Sequence, residues 1–203
     1  MKQLLISFVC LIATSAFAQT DEIYRLTFSD TSNFRLTTIL DHKMPKAFVI
    51  IDTTEAWNSN RFWLKDFDGK SKAIVIKKIQ HDEHHPYFHT YFFSDSTLDS
   101  IFPDQTKRQF AEKSRSFRSR KVKLQGENYK TVSSSNKVKG FYFVISEPMF
   151  SDDKNFAFLD MTVFYKENGR QSFNETYYGS IALVFQKIGN TWKRIGKKDW
   201  LIL

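Results

Sequence analysis

The sequence predicts an α+β fold, in which an antiparallel β-sheet with a C-terminal meander carries one or two helices at about residues 96–118. Short apolar and aromatic runs of strand length occur before residue 94 and again after residue 140. Between residues 96 and 118 the apolar spacing changes to that of a helix. The loops between the C-terminal strands are too short for crossover helices, so neighbouring strands are expected to run antiparallel.

Short strands are expected in the N-terminal half of the chain. The run at 47–51 is β-branched and continuous, as in a buried strand. The other predicted strands in this half span residues 23–28, 34–40, 72–79 and 87–93. The last two are expected to pair as a hairpin, because the residues between them favour a turn.

Two helices are expected next, at 96–102 and 105–117. Ser96 and Asp99 fit a capping box, and Pro103 separates the two helices. The second helix has its apolar residues on one narrow side, with basic residues around the rest. It is therefore expected to lie on the sheet with a positively charged outer side.

The remaining chain predicts the meander. Val122 and Leu124 alternate with lysines, as in a strand. Gly189 and Asn190 favour a compact hairpin turn, and Gly196 is a point at which the last strand can break. The main strands are predicted at residues 140–146, 156–165, 178–186 and 192–203.

The first eighteen residues have the parts of an export signal. Lys2 is followed by an apolar run at 4–13 and by the small-x-small pattern at 16–18. The run is shorter than the about 20 residues that a membrane span needs. We therefore expect residues 1–18 to be cleaved, residues 19–203 to form a single domain, and the mature protein to be secreted or periplasmic without a transmembrane segment.

The only cysteine, Cys10, lies within this predicted signal. Lipid attachment there is disfavoured, because Phe8 and Val9 are bulky where lipoprotein signals carry small residues. After cleavage the chain would have no thiol for a disulfide, a thiolate metal site or covalent catalysis. Such a domain must be held together by its core.

Two patterns mark the C-terminal third of the chain, S-x-P-x-F-S-x-D at 146–153 and K-x-G-x-W-K at 187–193. Through these patterns the segment of about residues 140–194 resembles small secreted proteins of unknown function from Gram-negative bacteria. In such proteins the first pattern follows a strand and the second forms a final hairpin. The resemblance implies the meander and an exported protein, and it supplies no catalytic residue.

Basic residues outnumber acidic ones by 30 to 22, and the segment 107–139 alone has eleven basic and two acidic residues. The positive electrostatic potential of such a segment attracts phosphate, acidic glycans or an anionic membrane surface. A solvated helix and strand is the alternative explanation. No nucleic-acid partner is expected, because no recognised motif accompanies the charge. The candidate basic patch comprises Lys107, Arg108, Lys113, Arg115, Arg118, Arg120, Lys121 and Lys123.

The densest group of potential metal ligands lies at residues 81–89. The candidate ligands are His81, His84, His85 and His89. With Asp82 or Glu83 they suit zinc, copper or nickel, although their spacing matches no zinc-protease signature. In a hairpin they can converge, whereas a solvated polar turn explains them without metal. We expect no cofactor, with a transition metal such as zinc as the alternative.

The sequence contains few features typical of catalysis or of phosphate binding. No GxSxG elbow or glycine-rich phosphate loop is present. A carboxylate pair is conceivable among four acids close in sequence, which are Glu147, Asp152, Asp153 and Asp160. Aromatic residues at 57, 63, 87–93 and 177–178 form either core or a platform for sugar rings or a protein partner.

Taken together, these features favour a non-catalytic binding or interaction module. Its partner would be an anionic glycan, lipid headgroups or another exported protein. The alternative is a metal-binding site, with hydrolytic activity as one version of it, on the histidine-rich hairpin.

Overall fold

The chain is described by a computed structural model over residues 18–34, 47–64, 72–82, 84–85, 87–88, 90–166 and 175–200. Within these ranges the predicted α+β class is confirmed, with one seven-stranded sheet and packed helices. The strands are β1 Phe48–Ile51, β2 Tyr129–Val132, β3 Gly140–Ile145, β4 Met149–Phe150, β5 Phe156–Lys166, β6 Glu175–Ile188 and β7 Thr191–Trp200. The helices are α1, helical over the described residues 18–29, α2 Lys72–His81, α3 Ser96–Ile101 and α4 Asp104–Ser114.

The strand order in the sheet is β2-β1-β3-β5-β6-β7, and β4 pairs with β5. The C-terminal meander is confirmed, because β5, β6 and β7 are antiparallel neighbours. Gly189 adopts a φ of +62° in the turn that joins the last two strands. At the other end β1 pairs in parallel with both β2 and β3. The mostly antiparallel sheet has these two parallel pairings because long segments separate β1 from its partners and allow the chain to cross over.

One face of the sheet, which we call the α1 face, packs against helix α1. Every second residue of β5 points to this face and is buried there with one side of α1. Phe28 of α1 lies against the rings of Phe48 and Tyr129, at centroid distances of 5.9 and 5.0 Å. The residues from β5 and α1 in this core are Ala157, Leu159, Met161, Val163, Ile23, Tyr24 and Phe28.

The opposite face, which we call the α4 face, packs against α3, α4 and two short 3₁₀ turns at Ser59–Arg61 and Phe92–Ser94. Phe158 of β5 lies at its centre. Its ring is 5.2 Å from Phe62, 5.2 Å from Phe92 and 4.9 Å from Phe110 between centroids. Because Asp160 follows on the same side of β5, this apolar core changes into a polar cluster along the strand.

The predicted strand at 23–28 is wrong, because these residues lie in α1. Ile23 and Thr27, which are four residues apart, are both buried, as are Tyr24 and Phe28. This spacing produces one buried side of a helix, whereas a strand of the same sequence would turn alternate residues outward.

The predicted hairpin of strands 72–79 and 87–93 is also wrong. The first segment lies in α2, and the described part of the second forms turns that end in a 3₁₀ helix. A strand would send consecutive side chains to opposite faces. Here a single tight turn directs three consecutive aromatic side chains into the α4-face core, namely Tyr91, Phe92 and Phe93.

The other predicted strands agree better with the structure. Those at 47–51, 140–146, 156–165 and 178–186 correspond to β1, β3, β5 and β6, and β7 covers the described part of the last one. The expected break in β7 is a bulge beside Gly196, where the pairing with β6 shifts. The alternation around residue 122 forms only isolated bridges to neighbouring segments.

Helices α3 and α4 confirm the helical prediction for about residues 96–118. The N-cap of α3 is Asp95 rather than the expected Ser96. Its side chain accepts hydrogen bonds from the backbone N–H groups of Thr97 and Leu98, at 2.9 and 3.1 Å. Pro103 lies between the two helices, as expected.

Several expectations fall outside the described residues. These are residues 1–17 of the predicted signal 1–18, residues 35–40 of the predicted strand 34–40, and the end of the last strand at 201–203. Residue 18 begins α1 as described, and Phe34 ends a 3₁₀ helix rather than beginning a strand. Among the described helices, none combines the length and the apolar character that a bilayer crossing requires.

Candidate functional site

After α4 the candidate basic patch continues as the segment 115–123, which we call the basic strip. It follows α4, and its second half runs antiparallel to residues 52–54. Thr54 N donates a hydrogen bond to Arg120 O at 2.8 Å, and Val122 N donates one to Asp52 O at 2.7 Å. No acidic residue interrupts it. Its five cationic side chains belong to exposed residues, namely Arg115, Arg118, Arg120, Lys121 and Lys123.

Acidic neighbours neutralise the basic strip only in part. Arg120 pairs with Glu147, and Lys121 Nζ lies 3.6 Å from an Asp52 carboxylate oxygen. Arg115 and Lys123 form no ion pair with any described residue. The strip therefore keeps a net positive charge.

Lys107 does not belong to an exposed patch, which corrects the prediction. It is 3% exposed, pairs with Asp99, and its Nζ lies 3.5 Å from an Asp104 oxygen. Arg108, by contrast, is exposed, and its guanidinium stacks over the Trp63 ring at 4.5 Å. These two cations of α4 attach the helix to its neighbours.

Lys113 is also engaged within the molecule. Its Nζ donates to the Phe150 carbonyl at 2.7 Å and to an Asp152 oxygen at 3.0 Å. The expected positive outer side of α4 is therefore present only in part.

The histidine segment is not a hairpin, because α2 ends at His81 and a tight turn follows. In that turn the Asp82 side chain accepts the His84 N–H at 3.0 Å, and its carbonyl accepts the His85 N–H at 2.9 Å. The described residues include no group of three or more histidine, cysteine or carboxylate side chains able to hold a metal. His89 lies outside the described residues, so the four-histidine site for zinc or a similar metal stays a prediction.

His81 also lines an open cavity of about 560 Å³ beside Asp99 and Asp104. Both carboxylates are occupied by ammonium groups, since Asp99 pairs with Lys107 and Asp104 with Lys72. The cavity therefore presents ion pairs beside the imidazole rather than a set of free carboxylate ligands.

Among the described residues, the most buried ion pair joins Arg61 to Asp160 on the α4 face. These residues are 5% and 6% exposed. Arg61 Nε and Nη2 donate to the two carboxylate oxygens at 2.9 and 3.1 Å, which is a bidentate geometry. Arg61 also donates to Ser180 Oγ at 2.9 Å and to the Thr90 carbonyl at 3.1 Å. One guanidinium thus joins β5, β6 and the loop after α2.

Glu55 lies beside this ion pair, and its Oε2 accepts a hydrogen bond from Thr162 Oγ1 at 2.8 Å. Burial and the neighbouring Asp160 raise the pKa of Glu55 to about 8. Burial also raises the pKa of Asp160, while the Arg61 guanidinium opposes that rise. Because Asp160 has the bidentate partner, Glu55 is the carboxyl group that holds a proton at neutral pH.

The sequence did not identify this cluster. Asp160 was one of four acids considered for a carboxylate pair, but the structure brings it to Arg61 and Glu55 instead. Of the other acids, Glu147 pairs with Arg120. No local spacing reveals the cluster, because its members come from segments about one hundred residues apart.

A groove of about 610 Å³ lies between α3, α4 and the turn after β4, and we call it the α4 groove. The turn belongs to the S-x-P-x-F-S-x-D pattern. Its apolar lining includes Phe102, Phe110 and Phe156, and its charged lining consists of Glu112, Lys113, Asp152 and Asp153.

Of the two interpretations of the aromatic residues, core applies to most of those that the structure describes. Trp57 is buried, and its Nε1 donates to the Glu147 carbonyl at 2.8 Å. Tyr91 and Phe93 are buried in the α4-face core. Tyr178 packs partly buried against the α1-face core.

Comparison of the chain with protein-family models, curated proteins and solved structures gives no match. The resemblance to small secreted proteins of Gram-negative bacteria therefore stays a prediction. Its K-x-G-x-W-K pattern fits with one additional residue, because two residues separate Gly189 from Trp192. In the first pattern Ser146 has a structural role, since its hydroxyl oxygen accepts the Asp160 N–H at 2.9 Å.

Proposed function

We propose that the protein is an exported, non-catalytic binding module that attaches to an anionic glycan or to lipid headgroups through the basic strip. The observation that carries this proposal is the exposure of five cationic residues within residues 115–123, with no acidic residue among them.

The length of the basic strip suits a repeating anionic partner. Residues 115–117 continue the end of α4 as a turn, and the remaining six residues, 118–123, cover roughly 20 Å at about 3.3 Å per residue. Arginine guanidinium groups bind phosphate, sulfate or carboxylate groups through paired hydrogen bonds. Several such contacts along one line favour a polymer or a headgroup layer over a single small anion.

Two probes distinguish lipid headgroups from an anionic glycan as the partner. The first is phosphatidylcholine vesicles with and without phosphatidylglycerol, and the second is heparin as a soluble sulfated glycan. We expect the mature protein to bind at least one probe, with an affinity that falls steeply between about 0.1 M and about 1 M salt, as the screening length shortens from about 10 Å to about 3 Å.

Variants test whether the strip itself is responsible. The triple change Arg115→Ser, Lys121→Ser and Lys123→Ser is expected to weaken binding by about two orders of magnitude, at about 1 kcal/mol for each cation. The matched control removes the charge of three exposed lysines outside the strip, at Lys78, Lys139 and Lys193. Absence of binding, a flat salt dependence, or equal losses in the two triple variants would contradict the proposal.

A further inference from the structure

We propose that the α4 groove of one copy receives the basic strip of a second copy, so that the protein forms a two-fold symmetric dimer. This inference goes beyond the proposed function and uses the same strip, so dimer formation and anion binding would compete. It rests on the shape of the groove, on its charge, and on the position of the strip next to it.

The α4 groove has the size and lining of a binding site. Its volume of about 610 Å³ lies within the range of about 300–1,000 Å³ found for ligand pockets. The rings of Phe102 and Phe156 meet edge to face at 4.6 Å in its lining. Ile101 at its edge is 38% exposed, one of three large apolar residues exposed in the described part of the chain. Because Phe102 and Phe110 are themselves buried, the apolar surface open to a partner is that of Ile101 and the partly buried Phe156.

The charge of the groove is opposite to that of the protein. Its lining contains the carboxylates of Glu112, Asp152 and Asp153 against the single ammonium of Lys113. The hydroxyl of Ser151 donates to Asp153 and lowers the pKa of its carboxyl group, which is therefore ionised at neutral pH. The whole chain has a formal charge of +8. The groove is thus an acidic site on a basic molecule and favours a cationic partner.

The acidic turn is held in place before any partner arrives. Ser151 N donates to the Phe156 carbonyl at 2.9 Å, and Phe156 N donates to Ser151 Oγ at 2.9 Å. Lys154 completes the turn with a φ of 56°, a left-handed conformation that a residue with a side chain rarely adopts. Because the carboxylates are already positioned, a partner loses little free energy in ordering them.

The basic strip has the chemistry that the groove requires. Arg115 and Arg118 are exposed, and the partly buried Phe117 lies between them. Phe117 packs against the α4-face core of its own copy, so the match depends on the two guanidinium groups and the carboxylates of the groove. A second copy therefore supplies the cations that the groove requires.

The placement of the two patches favours a closed pair. Glu112 of the groove and Arg115 of the strip are three residues apart at the end of α4, so the acidic and basic patches lie side by side. A two-fold axis between such patches pairs each groove with the strip of the other copy. The same contact is then made twice, and no unpaired patch remains to extend a fibre.

The oligomeric state of the mature protein tests this inference by sedimentation equilibrium without any anionic probe. We expect a dimer at about 0.1 M salt that dissociates at about 1 M salt, where screening is stronger. Glu112→Arg and Arg115→Glu should each weaken dimerisation at least about tenfold, because like charges then face each other. Glu127→Arg, at an exposed residue outside the groove lining, is the control and should leave the dimer unchanged.

Mixing the two reversed variants gives the decisive result. In a mixed pair, Arg at position 112 faces Glu at position 115 on one side, and the original pair is present on the other. A heterodimer of about wild-type affinity is therefore expected. A monomeric wild type at low salt, a dimer that both reversals leave intact, or a mixture that stays monomeric would overturn the inference. Since Glu112→Arg leaves the strip unchanged, a failed dimer and a failed anion-binding function remain distinguishable.

Discussion

The two faces of the meander are made by the same strands but bury different chemistry. On the α1 face β5 contributes Leu159 and Met161, and the residues around them are apolar. On the α4 face the alternate residues Phe158 and Asp160 lie in an aromatic cluster and in an ion pair. Because side chains of a strand alternate between the two faces of a sheet, the sequence position assigns each residue to a face. The elements that pack on that face determine which side chains can be buried there. A carboxylate is buried here because Arg61 reaches it from a distant turn.

The largest expected effect compares neighbouring residues on opposite faces. Phe158→Ala should cost about 4 kcal/mol of unfolding free energy and Leu159→Ala about 3 kcal/mol. Both side chains are 0% exposed, but the Phe158 ring also loses edge-to-face contacts with several neighbouring rings. Urea unfolding followed by tryptophan fluorescence measures both values. A larger loss at Leu159 would mean that the α4 face is packed more loosely than these contacts imply.

The next largest change in stability tests whether the Arg61–Asp160 ion pair stabilises the fold through charge pairing or through packing. Arg61→Met should cost about 3 kcal/mol, because it leaves Asp160 buried without its counter-charge. The double change Arg61→Met with Asp160→Leu removes both charges and is expected to recover most of that loss. Urea unfolding of the two variants makes the comparison. If the double variant is no more stable than the single one, the cluster contributes through its shape and hydrogen bonds rather than through charge pairing.

The smallest effect concerns the proton on Glu55. Its pKa is raised from the ordinary 4.5 to about 8 by burial first and by Asp160 second, while Thr162 and Arg61 act in the opposite direction. The folded state therefore holds this proton more tightly than the unfolded chain. Its stabilising contribution is complete below about pH 4.5 and is lost as the pH rises through about 8.

Glu55→Gln should remove this part of the pH dependence and keep a partner for Thr162. We expect wild type to lose about 2 kcal/mol more than Glu55→Gln between pH 5 and pH 9, since each pKa unit is worth about 1.4 kcal/mol and partial exposure reduces the total. Thermal melts over this range, with Glu127→Gln as a control at an exposed site, measure the difference. Parallel curves for wild type and Glu55→Gln would show that Glu55 is ionised across the whole range.

The sequence predicted the C-terminal half of the fold well and the N-terminal half poorly. Strands β3, β5 and β6 contain near-continuous apolar runs rich in aromatic and β-branched residues, which are typical of strands buried on both faces. In α2 the β-branched run indicated a strand, but the buried Ile76 and Ile79 are spaced for a helix. Packing against the rest of the molecule overrides the local preference of such short runs.

The candidate sites also differ in how far the sequence predicts them. The basic strip follows directly from composition, since a run of cations without acids needs no tertiary information. The burial of Lys107 does not, because its partners Asp99 and Asp104 come around the ammonium group only when α3 and α4 pack together. The cluster of Arg61 and Asp160 is formed across 99 residues of sequence and has no local signature.

The contacts of α1 and the turn after it also set the order in which the fold can be completed. Arg194 of β7 lies 3.5 Å from Asp30 and donates to Ser32 at 3.1 Å, across 162 residues of sequence. Lys197 donates to the Ser32 carbonyl at 3.3 Å. The turn after α1 is synthesised early, but it can form these contacts only after β7 has been synthesised. The formation of contacts between residues so far apart in sequence is slow.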